Sequence, residues 1–126
     1  MKSPPIALGP AVPVSVARKG EMLFNDATMC FQQWQSCASC HPDARSDALY
    51  WDLLNDGVGN TKNTKSLLLS VVTPPVMWRG GRDNAGMAVR TGIHHIQFAE
   101  PIAGQVDEIE AYLRSLRPVA SPALDA

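Results

Sequence analysis

Five consecutive residues, Cys37-Ala38-Ser39-Cys40-His41, restrict what this chain can fold into more than any other feature. Cys-x-x-Cys-His is the attachment signature of c-type haem, and each position has a chemical task. Two thiols add across the porphyrin vinyl groups, and the imidazole that follows reaches the iron as proximal ligand. A chain built this way must close around a flat macrocycle, so the prosthetic group becomes part of its core. The expected cofactor is one covalently bound haem c, anchored by Cys37 and Cys40 and ligated by His41.

Two other chemistries use similar residues. A thioredoxin-like redox pair sits at the start of a helix after a buried strand, inside a βαβ pattern, and no strand-like segment precedes Cys37. A zinc ion would accept Cys30, Cys37, Cys40 and His41 on ligand type. Neighbouring Cys40 and His41 would then both have to turn to one tetrahedral ion, and no second half-site follows at the usual spacing.

The 126 residues support one domain, and 45% hydrophobic content makes a packed core feasible. A net charge of -1 gives no electrostatic reason to expect nucleic acid or an anionic membrane as partner. No apolar run approaches the length of a membrane span. Of the three cysteines, Cys30 is left over as a thiol, a ligand or an intermolecular bridge. Cysteine-linked haem is assembled outside the cytoplasm, so the expected location is periplasmic or otherwise extracytoplasmic. The opening Met1-Lys2-Ser3-Pro4-Pro5 has no apolar signal core, which suits a mature or excised fragment of a larger parent. Residues 1–14 and 118–126 are proline-rich and read as linkers or tails flanking a cytochrome domain over 15–117.

Within that domain, Ala17, Gly20, Leu23 and Phe24 predict a helix from Ser15, its cap, to Asn25. A loop over Ala27–Ser36 leads to a short helical turn at Cys37–His41, ended by Pro42. Asp43–Thr64 reads as a long loop around the haem edge, with turn signals at Asn55-Asp56-Gly57 and Gly59-Asn60. Thr64–Val71 reads as a short helix stopped by Thr73-Pro74-Pro75. A further helix is expected from Asp83 or Asn84 to His94 or His95, weakened at Gly92. The last helix is the clearest, because Val106, Ile109, Tyr112, Leu113 and Leu116 form an apolar stripe. Its acids come early and its arginines late, matching the helix dipole. Strand-like alternation is absent, so the expected class is all-α, helices and long loops wrapped around one haem.

The distal iron position decides the chemistry. Two strong axial ligands favour electron transfer, and an open or labile site admits small molecules. The candidates rank His95, His94, Met77 and then Cys30. Neighbours on a helix point about a hundred degrees apart, so at most one of the two histidines faces the iron. Trp34, Trp51 and Trp78 are candidate pocket walls. Arg45, Arg79 and Arg82 are candidate partners of the haem propionates, since guanidinium matches carboxylate geometry.

Gly20-Glu21-Met22-Leu23-Phe24, the haem motif with Pro42, Thr64-Lys65-Ser66-Leu67 and Thr73-Pro74-Pro75 through Gly80 resemble, in order, the bacterial di-haem cytochrome c peroxidase superfamily. They are similar above all to the single-haem domains appended to bacterial β-propeller proteins. The resemblance covers about Arg18 to Pro118. It implies a class I-like cytochrome c fold, a periplasmic location and electron exchange with a redox partner protein or domain. Peroxidase-type electron-transfer domains place a methionine in the helix after the Thr-x-Pro stretch. This chain has His94 and His95 there, with Met87 a turn or two earlier, so methionine ligation is not carried over. The expected function is electron transfer through one haem, needing no substrate-turnover residues of its own, alone or within a larger oxidoreductase. The alternative is a peroxidase-like or gas-binding module with a labile or Cys30 distal ligand.

Overall fold

The computed structural model describes residues 5–6, 9–10, 12–53, 57–121 and 123. Four α-helices carry the fold: α1 (Val16–Asn25), the single turn α2 (Cys37–Cys40), α3 (Ala85–His95) and α4 (Gln105–Ser115). Their starts follow the sequence signals. Ser15 is extended, and its Oγ accepts the Arg18 N–H at 3.1 Å, capping α1. The Asn84 Oδ1 accepts the Met87 N–H at 2.9 Å and caps α3. Asp107 and Glu108 lie in the first turn of α4 and Arg114 in its last.

α1 crosses α4 at Gly20. A β-carbon placed there would lie 1.8 Å from the Glu108 carbonyl oxygen, so only glycine lets the two backbones meet. One turn on, Phe24 and Tyr112 pack with ring centroids 5.3 Å apart, tilted by 55°. The buried cluster is Phe24, Ala44, Ile93, Val106, Ile109 and Leu113, so α3 completes the core against α4. Ala44, from the loop after the haem motif, is fully buried and ties that loop to the three helices.

Three expectations change. The long connection contains a two-stranded antiparallel ribbon, β1 (Tyr50–Trp51) and β2 (Lys62–Asn63), pairing Tyr50 with Asn63 and Trp51 with Lys62. Two-residue strands leave no alternation to read, and the fold remains largely helical as expected. Thr64–Val71 is not a helix: Leu69 is left-handed (φ 63°), and only a 3-10 turn forms at Ser70–Val72. The Leu67 N–H donates instead to the Ala44 carbonyl at 2.9 Å, a tertiary bond in place of a helical one. Pro42 ends α2 as expected but opens another 3-10 turn, Pro42–Ala44. The turn at Asn55-Asp56-Gly57 and the two tails fall partly outside the described residues.

Candidate functional site

The site is built from α2. The Ser36 N–H donates to the Ser39 Oγ at 3.0 Å, fixing the start of the turn, and the His41 N–H donates to the Cys37 carbonyl at 3.0 Å. Asp43 and Ala44 then take φ of 52° and 55°, which reverses the chain. The reversal brings the Arg45 carbonyl to 3.1 Å from the His41 Nδ1. A carbonyl only accepts, so Nδ1 carries the proton and Nε2 keeps the lone pair a metal needs. Burial holds the imidazole below its ordinary pKa, opposed by the Arg45 and Lys65 carbonyls and by the Asp47 charge. The neutral, ligating form is favoured.

Cys37 and Cys40 are free thiols. Burial pushes Cys37 up to about 11, against the pull of its backbone and of the Gln97 amide. Cys40 is raised by burial and then by the Asp47 carboxylate. Both sulfurs are therefore uncharged, in keeping with the wall they join.

That wall encloses a cavity of about 400 Å³ running from α2 to α3, α4 and the ribbon. Cofactor pockets span roughly 300–1,000 Å³ and are mostly apolar with a few placed polar groups. Here Leu67, Val76, Val89, Ile93, Ile109 and Leu113 supply apolar surface, and Cys37, Cys40 and His41 all line the same space. Two buried polar atoms on the lining, the Gln97 Oε1 and the Ser70 Oγ, have no hydrogen-bond partner among the described residues. Orphaned buried polar atoms of this kind are costly unless a bound group satisfies them. An amphiphilic macrocycle with an iron centre fits this lining on donor set, shape and polarity.

The other predicted residues divide. Trp51 and Trp78 line the cavity. The Trp51 Nε1–H donates to the Asp47 Oδ2 at 2.9 Å and the Trp78 Nε1–H to the Asn63 carbonyl at 2.7 Å, so both indoles are fixed at the ribbon. Trp34 does not join them; it stands on the surface beside Phe31 and Phe98. Met77 lines the cavity, but His94 and His95 do not. Both histidines are exposed at the end of α3, where the His94 Nδ1 pairs with the Glu100 carboxylate and the two rings meet edge to face. The last turn of α3 puts Ile93 and Ile96 on the cavity and leaves off it the two neighbours that rank first and second as distal-ligand candidates. Cys30 is buried, 4% exposed, but is not on the cavity wall.

Among the described residues no three His, Cys, Asp or Glu side chains converge as a metal site, so the zinc set is not assembled. None of Arg45, Arg79 and Arg82 lines the cavity, and Arg82 is instead bonded to Thr91 and Gly81. Sequence reading missed Gln97, 3% exposed, whose Nε2–H donates to the Cys37 Sγ at 3.7 Å. A lone glutamine after an apolar helix gives almost no signal of this kind.

A family model for the di-haem cytochrome c peroxidases matches residues 16–121, nearly all of the helical unit. The chain belongs to this family. Membership implies a haem c cofactor. The gamma subunit of hydrazine synthase from Kuenenia stuttgartiensis is 39% identical over 66 residues, 52% of this chain and 19% of that protein. A solved structure of Kuenenia stuttgartiensis hydrazine synthase, pressurised with xenon, superposes with a TM-score of 0.72 at 28% identity, covering 88% of this chain and 40% of the solved one. The largely helical, cytochrome-like fold is thus shared, and this chain spans much less than two thirds of either relative. A family named for two haems meets here a sequence with a single Cys-x-x-Cys-His.

Proposed function

We propose that this chain is an electron-transfer module holding one haem c through Cys37 and Cys40, with His41 as proximal and Met77 as distal ligand, in a class I-like cytochrome fold over residues 15–117. The observation that carries the reading is the convergence of both thiols, a neutral imidazole and one thioether on a single apolar cavity. When bound, haem supplies a reversible one-electron change at iron. The protein's own residues do the rest. The Arg45 carbonyl holds His41 in the ligating tautomer, Trp51 and Trp78 wall the ring, and the apolar helices exclude water. Burial of this kind keeps the environment fixed between the two charge states. His95 and His94 give way to Met77 because the thioether lines the cavity and the imidazoles do not.

Cysteine-linked attachment supports a periplasmic or other extracytoplasmic location, and no helix among the described residues is long and apolar enough to cross a membrane. A redox partner fits a chain whose relative is one subunit of hydrazine synthase. A second reading, a peroxidase-like or gas-binding haem with a labile sixth ligand, is favoured by the position of Met77: 36% exposed, on a loop, with φ of 76°. Such a residue can leave the iron more easily than one locked in a helix.

Absorbance spectra decide between them. The carrier has a ferric low-spin spectrum, and its reduced form ignores carbon monoxide. Met77→Ala turns it high-spin, while His94→Ala, His95→Ala and Cys30→Ala leave it low-spin. Carbon monoxide binding by the reduced wild type would select the labile reading. A high-spin His95→Ala protein would return the distal position to that histidine.

A further inference from the structure

Glutamine is seldom buried, yet two buried glutamines tie the segment that leads into the haem motif to the end of α3. Gln35 is 7% exposed and Gln97 3% exposed. The Gln35 Nε2–H donates to the Ile96 carbonyl at 3.0 Å, so its donor meets a strong acceptor. Gln97 is placed differently. Its main-chain groups are already taken, the N–H by the Gly92 carbonyl at 3.0 Å and the carbonyl by the Phe31 N–H at 2.8 Å. Its side-chain Nε2–H goes to the Cys37 Sγ at 3.7 Å, and its Oε1 is buried with no hydrogen-bond partner among the described residues.

Stability does not account for that arrangement. Sulfur is a weak acceptor, and a buried amide oxygen without a donor costs more than one weak bond returns. A methionine of similar length would fill the space and orphan no atom. What Gln97 contributes instead is a donor held at one sulfur. Both sides of the contact are anchored, residue 97 through its main chain and Cys37 through the His41 N–H that its carbonyl accepts. Addition of the Cys37 thiol to a porphyrin vinyl group puts the sulfur on one carbon and its hydrogen on the other, with no electron gained or lost. The sulfur then has lone pairs and no proton, so only a donor suits it. Burial raises the Cys37 thiol to about 11 and the Gln97 amide opposes that rise, the sign expected of a donor that favours electron density on sulfur.

We propose that Gln97 is a positioning residue of the haem attachment edge: its side-chain N–H holds the Cys37 sulfur and, through that sulfur, favours the reduced haem. This rests on the reading that haem c is bonded to Cys37. The amide hydrogen carries partial positive charge in surroundings of low dielectric, where it stabilises the electron gained on reduction. Hydrogen bonding beyond the axial ligands is one of the means by which a protein sets a haem potential. Gln97 acts through the sulfur and needs no contact with the iron.

The test is equilibrium redox titration of the purified holoprotein and of Gln97→Met and Gln35→Met, each of which keeps side-chain length and removes one amide. The Soret band reports an intact site, and the pyridine haemochrome band reports any vinyl group left unreacted. The expected result is a lower midpoint potential in Gln97→Met, with both vinyl groups consumed. Gln35→Met should change the potential less, at an equal or larger loss of stability to denaturant. A vinyl group left over in Gln97→Met but not in Gln35→Met also supports the proposal, because the sulfur has then missed its carbon. A Gln97→Met protein with an intact Soret band, no leftover vinyl group and the wild-type potential overturns it. Equal falls in the two variants would make the glutamines a clasp between segments and nothing more, which overturns it as well. Should Gln97→Met fail to fold, nuclear Overhauser contacts between the Gln97 side-chain amide and the Cys37 β-protons of the reduced wild type give the second readout, and their absence overturns the proposal. A wild type lacking any haem spectrum after maturation would instead remove the underlying reading, and the proposal with it.

Discussion

Replacing Gly20 by alanine sets helix propensity against packing, and the geometry says which wins. On propensity alone the exchange gains about 1 kcal/mol, because glycine is a poor residue inside a helix. In this fold the new β-carbon would sit 1.8 Å from the Glu108 carbonyl oxygen, where contacts under 3.0 Å essentially never occur. The obstacle is backbone, so the two helices must part by the difference, about 1.2 Å. A gap of only 0.5–1 Å already forfeits roughly a quarter to a half of each dispersion contact across it. Overpacking of a tight interface costs about 1–3 kcal/mol, and a backbone clash belongs at the upper end, leaving a net loss of about 2 kcal/mol. At about 4 °C per kcal/mol for a domain near this size, the melting temperature should fall by roughly 8 °C. Ile109 and Leu113 of α4 also line the cavity, so the site should loosen with the crossing. Thermal unfolding of the ferric holoprotein, followed in the far ultraviolet and at the Soret band, measures both. A variant as stable as wild type, or more stable, would refute the close-approach argument, since that is the result propensity alone requires.

Asn84→Ala should cost about 1 kcal/mol by removing the cap of α3, read as a lower denaturation midpoint, with a smaller loss for Asn84→Ser. Burial, and then the charges of Glu21 and Asp43, raise the Tyr112 hydroxyl above its ordinary pKa of 10.0. Above that value the unfolded chain loses its phenolic proton first, so the tyrosine's contribution is intact below it and is lost as pH rises through the folded value. Tyr112→Phe keeps the ring against Phe24, and its midpoint should therefore fall less than wild type's between pH 9 and pH 11 as measured by denaturant titration. An equal fall in both proteins would remove Tyr112 from the alkaline limb.

The haem motif, the caps Ser15 and Asn84 and the striped last helix are legible because local chemistry alone specifies them. A thiol pair separated by two residues with an adjacent imidazole has one dominant use, and a hydroxyl or amide before an apolar period starts a helix whatever lies around it. The helix expected at Thr64–Val71 is different, since its competition is decided at a distance. The Leu67 N–H finds the Ala44 carbonyl, twenty-three residues earlier in sequence, and Leu69 turns left-handed. The ribbon is too short to carry a pattern, and only its pairing partner defines it.

The distal side shows the same division most plainly. Sequence alone narrowed the candidate donors for the distal side of the proposed haem to two histidines, a methionine and a spare cysteine. Which of them faces the cavity depends on the phase of α3 against α4, because burying Ile93 leaves the adjacent histidines exposed. A side chain's identity is local, but the direction it faces is set by what its helix must bury. Tertiary packing therefore put Met77 and Gln97 on the cavity wall and left His94 and His95 outside it.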